Sequence, residues 1–128
     1  MIHLDTSFLI RSLVSGSVED HALRGWIGKA EDIAIGAVAW SEFLCGPVSA
    51  EGIELSARLF GEPMPFGSRE AATAATLFNA SGRRRGSILD CMVAATAIES
   101  NAALATGNRG DFRRFEPLGL RLAEAAVA

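Results

Sequence analysis

Residues 1–13 read MIHLDTSFLIRSL, and this stretch decides the fold. Residues 1–4 are mostly apolar and end abruptly at Asp5, a pattern typical of a short buried strand. Thr6 or Ser7 can then cap a helix with an apolar face. The stretch therefore predicts a strand followed at once by a helix, with Asp5 at the carboxyl end of the strand.

The same alternation of a short apolar segment and a helix continues along the chain. Strands separated by helices favour parallel pairing with right-handed crossovers. The sequence therefore predicts an α/β protein, a three-layer α/β/α sandwich with a mainly parallel sheet of four to five strands. Besides residues 1–4, the expected strands are 33–36, 64–66 (short or partly outside the sheet), 103–106 and 118–122, and the longer helices are 38–45, 50–60, 68–78 and 88–100.

Length and composition limit the classes of protein to which the chain can belong. A chain of 128 residues with 49% hydrophobic composition suits one compact core, so residues 1–128 are predicted to form a single domain. No apolar run approaches the length of a membrane span, and the start lacks the basic segment of a signal or transit peptide. We expect a cytoplasmic protein without a membrane anchor.

Cys45 and Cys91 are the two cysteines, and they lie far apart in apolar surroundings without a CxxC spacing. This pattern disfavours a disulfide framework and a zinc site. Both are predicted to be buried free thiols.

Asp90 is the clearest acidic residue in an apolar context. It lies near the start of the predicted helix 88–100, which is apolar on almost every side. An isolated buried carboxylate costs several kcal/mol, so it should be paired, protonated or bound to a cation. The alternative is a first-turn acid that interacts with the helix dipole and meets an arginine.

Glu42 presents the same problem, because it shares a helical stripe with Val38 and Cys45 that looks core-facing. A position at the rim of the core is the alternative. Asp5 can instead be an ordinary helix cap. So can Asp111, which follows the strand 103–106 after a glycine-flanked loop.

Taken together, these four acids point to a common site, because parallel sheets bind ligands beyond the carboxyl ends of their strands. Carboxylates without a His or Cys cluster favour a hard cation, Mg²⁺ or Mn²⁺. Such ions commonly act on phosphate esters. A net charge of −3 is mildly unfavourable for binding nucleic acid, but the rest of the chain is slightly positive once the four acids are assigned to metal.

The chain resembles the PIN domain, and more narrowly the VapC-type toxins of bacterial toxin–antitoxin pairs. The resemblance rests on the order of several short motifs, which are Asp5-Thr6-Ser7 after an apolar segment, Ser41-Glu42 with Gly46, Asp90 with Ala94-Ala95-Thr96-Ala97, and Thr106, Asn108, Asp111 and Phe112.

This resemblance implies a Mg²⁺- or Mn²⁺-dependent endoribonuclease, often a homodimer, that cuts RNA needed for translation and is inhibited by a cognate antitoxin protein. It implies that four acids act at the metal, and that two polar residues are nearby ligands or substrate contacts. The acids are Asp5, Glu42, Asp90 and Asp111, and the polar residues are Thr6 and Asn108.

Arginines cluster in two places, 83–85 and 109–114, and each cluster borders a proposed metal ligand. Because Arg binds phosphate through a bidentate fork, Arg84, Arg85 and Arg109 are predicted to contact RNA. The alternative is a solvated loop, or pairing with acids of the antitoxin or of the chain itself.

Two other functions stay open. The chain can be a binding module of the same fold that holds a partner without cutting. It can also be an aspartate-nucleophile phosphohydrolase of the haloacid-dehalogenase type, although that class usually has a second Asp where this chain has Ser7.

Overall fold

Four short parallel strands form the sheet in the computed structural model, which describes residues 1–124. Residues 125–128, the end of the predicted domain 1–128, lie outside the described residues. Each strand pairs in parallel with its neighbour, in the order β2-β1-β3-β4. The strands are β1 (Ile2–Leu4), β2 (Ile33–Ile35), β3 (Ala103–Ala105) and β4 (Arg121–Leu122).

Seven α-helices flank this sheet in the described part of the chain, and they confirm the predicted α/β/α fold class. Within residues 1–124, none of them combines the length and the apolar character needed to cross a membrane. They are α1 (Thr6–Ser12), α2 (Val18–Gly28), α3 (Ala37–Cys45), α4 (Ala50–Phe60), α5 (Ser68–Ala80), α6 (Ile88–Glu99) and α7 (Arg109–Phe112), followed by a 3₁₀ helix over Arg113–Leu118.

Strand β1 is a central strand of the sheet, with β2 on one side and β3 on the other. Its three residues are all buried, although successive side chains of a strand point to opposite faces. Both faces of β1 are therefore covered, as expected for a parallel sheet between helices. Phe8 of α1 stacks on Trp26 of α2 with ring centroids 5.5 Å apart, and this pair extends the core from the sheet into the helices.

The predicted strand 64–66 shrinks to one isolated parallel bridge, between Met64 and Gly36. Pro63 and Pro65 lack backbone N–H donors, so this segment cannot continue a ladder beside β2. Gly36 itself packs closely on α6, because a Cβ at this position would lie 3.0 Å from Cγ2 of Thr96.

The predicted edge strand over residues 118–122 is shorter in the structure. Only Arg121 and Leu122 pair with β3. Leu118 ends the 3₁₀ helix, and Gly119 turns the chain with a φ of 112°.

His3 is the polar residue at the centre of β1, and it is buried. Its Nε2 atom has no hydrogen-bond partner, and the side chain faces a small space beside Val93 and Thr96 of α6. Burial, with a smaller contribution from the N-terminal charge, lowers the pKa of His3 to about 4. The folded protein therefore holds this imidazole in its neutral form.

We expect the unfolded chain to bind a proton at His3 between pH 6.5 and about 4, while the folded chain does not. The contribution of His3 to the free energy of unfolding should therefore be complete above pH 6.5. It should fall by up to about 3 kcal/mol as the pH approaches 4. The measurement is urea unfolding followed by the fluorescence of Trp26 and Trp40. His3→Leu should make the free energy of unfolding depend less on pH in this range. His21→Leu, which changes an exposed histidine, is the matched control and should keep the wild-type dependence. A His3→Leu slope equal to that of the wild type would contradict the assignment.

Candidate metal centre and nucleic-acid interface

Asp5 lies between β1 and α1, and its carboxylate is held from three directions. Oδ1 accepts hydrogen bonds from the Phe8 backbone N–H at 2.9 Å and from the Ser7 hydroxyl at 2.8 Å. Oδ2 accepts one from the Thr106 hydroxyl at 2.5 Å. Asp5 is thus the N-cap of α1, and the prediction that Thr6 or Ser7 caps this helix is wrong. The backbone of Asp5 is extended, like that of the strand before it, so helix α1 begins at the next residue, Thr6.

Thr106 reaches Asp5 because β1 and β3 are adjacent and parallel, so both strands end at the same edge of the sheet. The Thr106 hydroxyl oxygen also accepts a hydrogen bond from the Asn108 backbone N–H at 2.9 Å. From the sequence, Thr106 is recognisable only as part of a motif, because strand adjacency cannot be read from one sequence. The contact spans 101 positions.

A pocket of ≈ 240 Å³ opens beyond this edge of the sheet, and three of the four predicted acids line it. They come from three elements, Asp5 from the end of β1, Glu42 from α3 and Asp90 from α6. The predicted polar contacts Thr6 and Asn108 line the same pocket. The Thr6 hydroxyl donates a hydrogen bond to the Ala39 carbonyl oxygen at 2.9 Å, which ties α1 to α3.

Asp111 differs from the other three acids. It is exposed on the short helix α7 and does not line the pocket. Its negative charge nevertheless contributes to raising the pKa of Asp90, after the larger effect of burial. Its predicted role as a metal ligand stays a prediction.

The predicted core-facing stripe of α3 is wrong. Val38 is half-buried, while Glu42 and Cys45 are exposed. The buried side of this helix carries Ala39 and Phe43 instead. Nearly every residue of α3 is apolar, so composition does not indicate which face meets the core. Glu42 therefore lines the pocket from its exposed rim, and Cys45 is not the predicted buried thiol.

Asp90 lies in the first turn of α6, where the helix emerges from the core. Cys91, the next residue, is buried as predicted, whereas Ile88 and Leu89 are exposed. Arg114 approaches Asp90 with Nη2 3.8 Å from Oδ2. Asp90 is thus both a first-turn acid that meets an arginine and a half-buried acid that faces the pocket.

The three carboxyl groups disfavour each other's charges. Burial raises the pKa of Asp5 despite its three hydrogen bonds. Loss of contact with water on one side raises the pKa of Glu42, and the negative charges of Asp90 and Asp5 raise it further. Burial also raises the pKa of Asp90, and Arg114 offsets part of this effect. A cation in the pocket would favour the ionised form of all three.

The donor chemistry of this pocket fits a hard divalent cation such as Mg²⁺ or Mn²⁺. In the side-chain positions described for residues 1–124, however, no group of three or more Asp, Glu, His or Cys residues is arranged to hold a metal ion. Asp5 is fixed by its hydrogen bonds, whereas Glu42 is exposed and Asp90 is half-buried. The last two can turn inward by rotamer changes, which cost little at a surface.

The predicted RNA-binding arginines occupy different settings. Arg84 and Arg85 are exposed in the loop before α6, and the charge of Arg84 also acts on Asp90. Arg109 instead donates a hydrogen bond to the Ala123 carbonyl oxygen at 2.7 Å. Its guanidinium therefore stabilises the segment that follows β4.

Three residues near the pocket were not assigned to the site from the sequence. Ser7 and Thr106 orient Asp5, and Arg114 partly balances Asp90. Ser7 lies two residues after Asp5, whereas the order of the strands brings Thr106, and the packing of the 3₁₀ helix brings Arg114, to the acids. For Arg114, the arginine cluster 109–114 was the only signal in the sequence, and it did not identify which of its arginines meets Asp90.

Comparison with known proteins gives both a family and structural neighbours. FitAcB from Neisseria gonorrhoeae is 20% identical over 98% of each chain, with a TM-score of 0.73. VapBC2 from Rickettsia felis, bound to a DNA fragment from its promoter, is 20% identical over 96% of this chain and 98% of the other, with a TM-score of 0.75. A toxin–antitoxin complex from Klebsiella pneumoniae is 23% identical over 88% and 90%, with a TM-score of 0.69.

At these identities, the likenesses establish a shared fold. No significant match is found among curated protein sequences. A sequence model of the PIN domain, by contrast, matches residues 2–116, which is most of the chain. The chain therefore belongs to the PIN domain family.

Proposed function

We propose that this protein is a Mg²⁺- or Mn²⁺-dependent endoribonuclease. The observation that carries the proposal is the meeting of Asp5, Glu42 and Asp90 in one pocket at the carboxyl edge of the sheet. Acids with raised pKa values in a cleft are typical of a functional site, and membership of the PIN domain family supports the same conclusion.

Asp5, Glu42 and Asp90 would hold the ion, with Asp111 completing the acidic set from α7. When bound, Mg²⁺ or Mn²⁺ supplies the positive charge that makes a water molecule nucleophilic and stabilises the leaving oxygen of a phosphodiester. Ser7 and Thr106 keep the Asp5 carboxylate in one orientation through their hydroxyl groups.

Glu42 is suited to accept a proton from the attacking water. Its side chain lines the pocket from the exposed rim, where it could reach a water molecule beside the ion. Asp5, whose two oxygens already accept three hydrogen bonds, is suited instead to a fixed ligand role.

RNA is the substrate in this proposal. Arg84 and Arg85 are exposed beside the start of α6 and can attract the phosphate backbone towards an otherwise repulsive acidic pocket. Thr6 and Asn108 line the pocket and can contact the substrate near the reacting phosphate. Arg109 would contribute a weaker positive field from its position near β4, because it also pairs with Glu124 at 3.3 Å.

We further propose that the protein is the toxin of a toxin–antitoxin pair, acts in the cytoplasm, forms a homodimer and is held inactive by a cognate antitoxin. One structural neighbour is described as a toxin–antitoxin complex. A largely apolar groove of ≈ 620 Å³ between α3 and α6 offers a surface that a second protein chain can cover. Glu42 lines both this groove and the acidic pocket, so a protein seated there would lie beside the proposed catalytic centre.

A binding module that does not cut RNA is the second candidate, and the approach of Arg114 to Asp90 favours it, because an arginine can balance an acid without metal. The phosphohydrolase alternative is weaker. Position 7 carries a serine whose hydroxyl donates to Asp5, in place of a second carboxylate.

Removal of one acid should abolish RNA cleavage. We expect wild-type protein to cut single-stranded RNA in Mg²⁺ or Mn²⁺ and to stop in EDTA. Asp5→Asn, Glu42→Gln and Asp90→Asn should each lose more than the roughly 10- to 100-fold that loss of an outer-shell metal partner costs. Asn can still cap α1, so Asp5→Asn should fold. Asp111→Asn should lose less activity, because Asp111 is exposed outside the pocket.

Glu51→Gln is the matched control, since it removes one exposed acid from α4 and should cut normally. Metal-dependent cleavage by folded Asp90→Asn at the wild-type rate would contradict the nuclease proposal. Binding of RNA without any cleavage by the wild type would favour the binding module, and release of phosphate from small phosphomonoesters would favour the phosphohydrolase.

Replacement of Arg84 and Arg85 by alanine should weaken RNA binding and reduce its salt dependence. For single strands, each lost phosphate contact should make the slope of log affinity against log salt shallower by about 0.7. Fluorescence anisotropy of a labelled oligoribonucleotide across a salt series measures this slope. An unchanged slope would remove both arginines from the interface.

A further inference from the structure

Gly107 lies directly after Thr106, and its missing side chain leaves a space that another residue fills. A Cβ at Gly107 would collide with Nη1 of Arg11 and lie 2.9 Å from its Cζ. The φ angle of Gly107 is not positive, so the backbone conformation does not itself require glycine. Space for the Arg11 guanidinium is the physical reason for a glycine at this position.

Arg11 is anchored to the same network that holds Asp5. Its Nη1 atom donates a hydrogen bond to the Gly107 carbonyl oxygen at 3.0 Å, across 96 positions of sequence. The Gly107 backbone N–H donates to the Ser7 hydroxyl at 3.1 Å, and that hydroxyl donates to Asp5 Oδ1. The positive charge of Arg11 also lowers the pKa of Asp5, against the larger effect of burial.

The Arg11 guanidinium keeps most of its donors available. Among residues 1–124 it forms no ion pair with a carboxylate within 4 Å, and its side chain is exposed. One of the five N–H donors of a guanidinium is used by the Gly107 carbonyl. By contrast, Arg114 already meets Asp90 and stacks 4.5 Å from the centre of the Phe115 ring.

The neighbouring residues place Arg11 at the edge of the acidic pocket. Ile10, the preceding residue of α1, lines the pocket together with Ser7 and Asn108, the residue after Gly107. The Arg11 guanidinium therefore lies beside the rim of the pocket, close enough for its charge to act on Asp5. Its fixed hydrogen bond to Gly107 lowers the entropy lost on binding a phosphate, since one end of the fork is already oriented.

We propose that Arg11, whose guanidinium occupies the space that Gly107 leaves open, is a substrate-binding residue that holds a phosphate group of the RNA beside the acidic pocket. This inference rests on the proposed ribonuclease function for the identity of the ligand. It adds a residue far from both arginine clusters of the sequence to the RNA-binding surface.

The test is equilibrium binding of a labelled single-stranded oligoribonucleotide by fluorescence anisotropy, in Ca²⁺ and across a salt series. Arg11→Gln should weaken binding severalfold and make the salt slope shallower by about 0.7, because one phosphate contact is lost. Arg11→Lys, which keeps the charge, should retain most of the slope. Arg58→Gln is the matched control, since it removes an exposed arginine from α4 and should bind RNA as the wild type does.

Gly107→Ala tests the space directly. The added methyl group displaces the end of the flexible Arg11 side chain and lies 3.3 Å from the Ser7 hydroxyl oxygen, so this variant should fold and should show the Arg11→Gln defect. The double variant should bind no worse than either single variant, because both changes remove the same contact.

Three results would overturn the inference. They are wild-type binding by Arg11→Gln, an equal loss in Arg58→Gln, and a loss in Arg11→Gln that is accompanied by an equal loss in Arg11→Lys and a lower melting temperature in both. Cleavage is measured separately in Mn²⁺. Absence of wild-type cleavage together with Arg11-dependent binding would overturn the ribonuclease proposal alone, whereas absence of wild-type RNA binding would overturn both.

Discussion

The hydrogen bond from Thr106 to Asp5 joins the carboxyl ends of the two central strands, and the geometry of the pocket depends on it. It forms because β1 and β3 run in parallel side by side, so residues that follow each strand emerge together. The same carboxylate also caps α1. One acidic side chain therefore fixes where the sheet ends and where the first helix begins.

Around this fixed point, α3 and α6 bring Glu42 and Asp90 to the same pocket. Burial and mutual repulsion raise the pKa of these acids, and Arg114 offsets only part of the effect at Asp90. A protein that gathers acids in this way accepts a local free-energy cost, and such clusters are typical of sites that bind cations or move protons. In the proposed function, the charges of Arg11 and Arg84 would offset the repulsion between a phosphate chain and these acids.

Much of the fold could be predicted from the sequence, because strand and helix lengths follow the spacing of apolar residues. Asp5 at a strand end and Asp90 at the start of an apolar helix could be identified for the same reason. Which face of α3 meets the core could not be predicted, since Glu42 and Cys45 lie in a segment in which nearly every residue is apolar.

Contacts that depend on strand order could not be predicted from the sequence either. Thr106 meets Asp5 across 101 positions, and Arg11 meets Gly107 across 96. A glycine whose missing Cβ leaves room for a distant side chain looks, in the sequence, like any loop glycine.

The most direct test of the central claim is a crystal structure of the protein with Mn²⁺, with the ion located from its anomalous scattering. We expect one or more Mn²⁺ ions in the pocket, coordinated by carboxylate oxygens of Asp5, Glu42 and Asp90, with the last two side chains turned inward and Arg114 no longer the nearest cation to Asp90. A pocket without Mn²⁺ at saturating concentration, with Glu42 and Asp90 still apart, would contradict it.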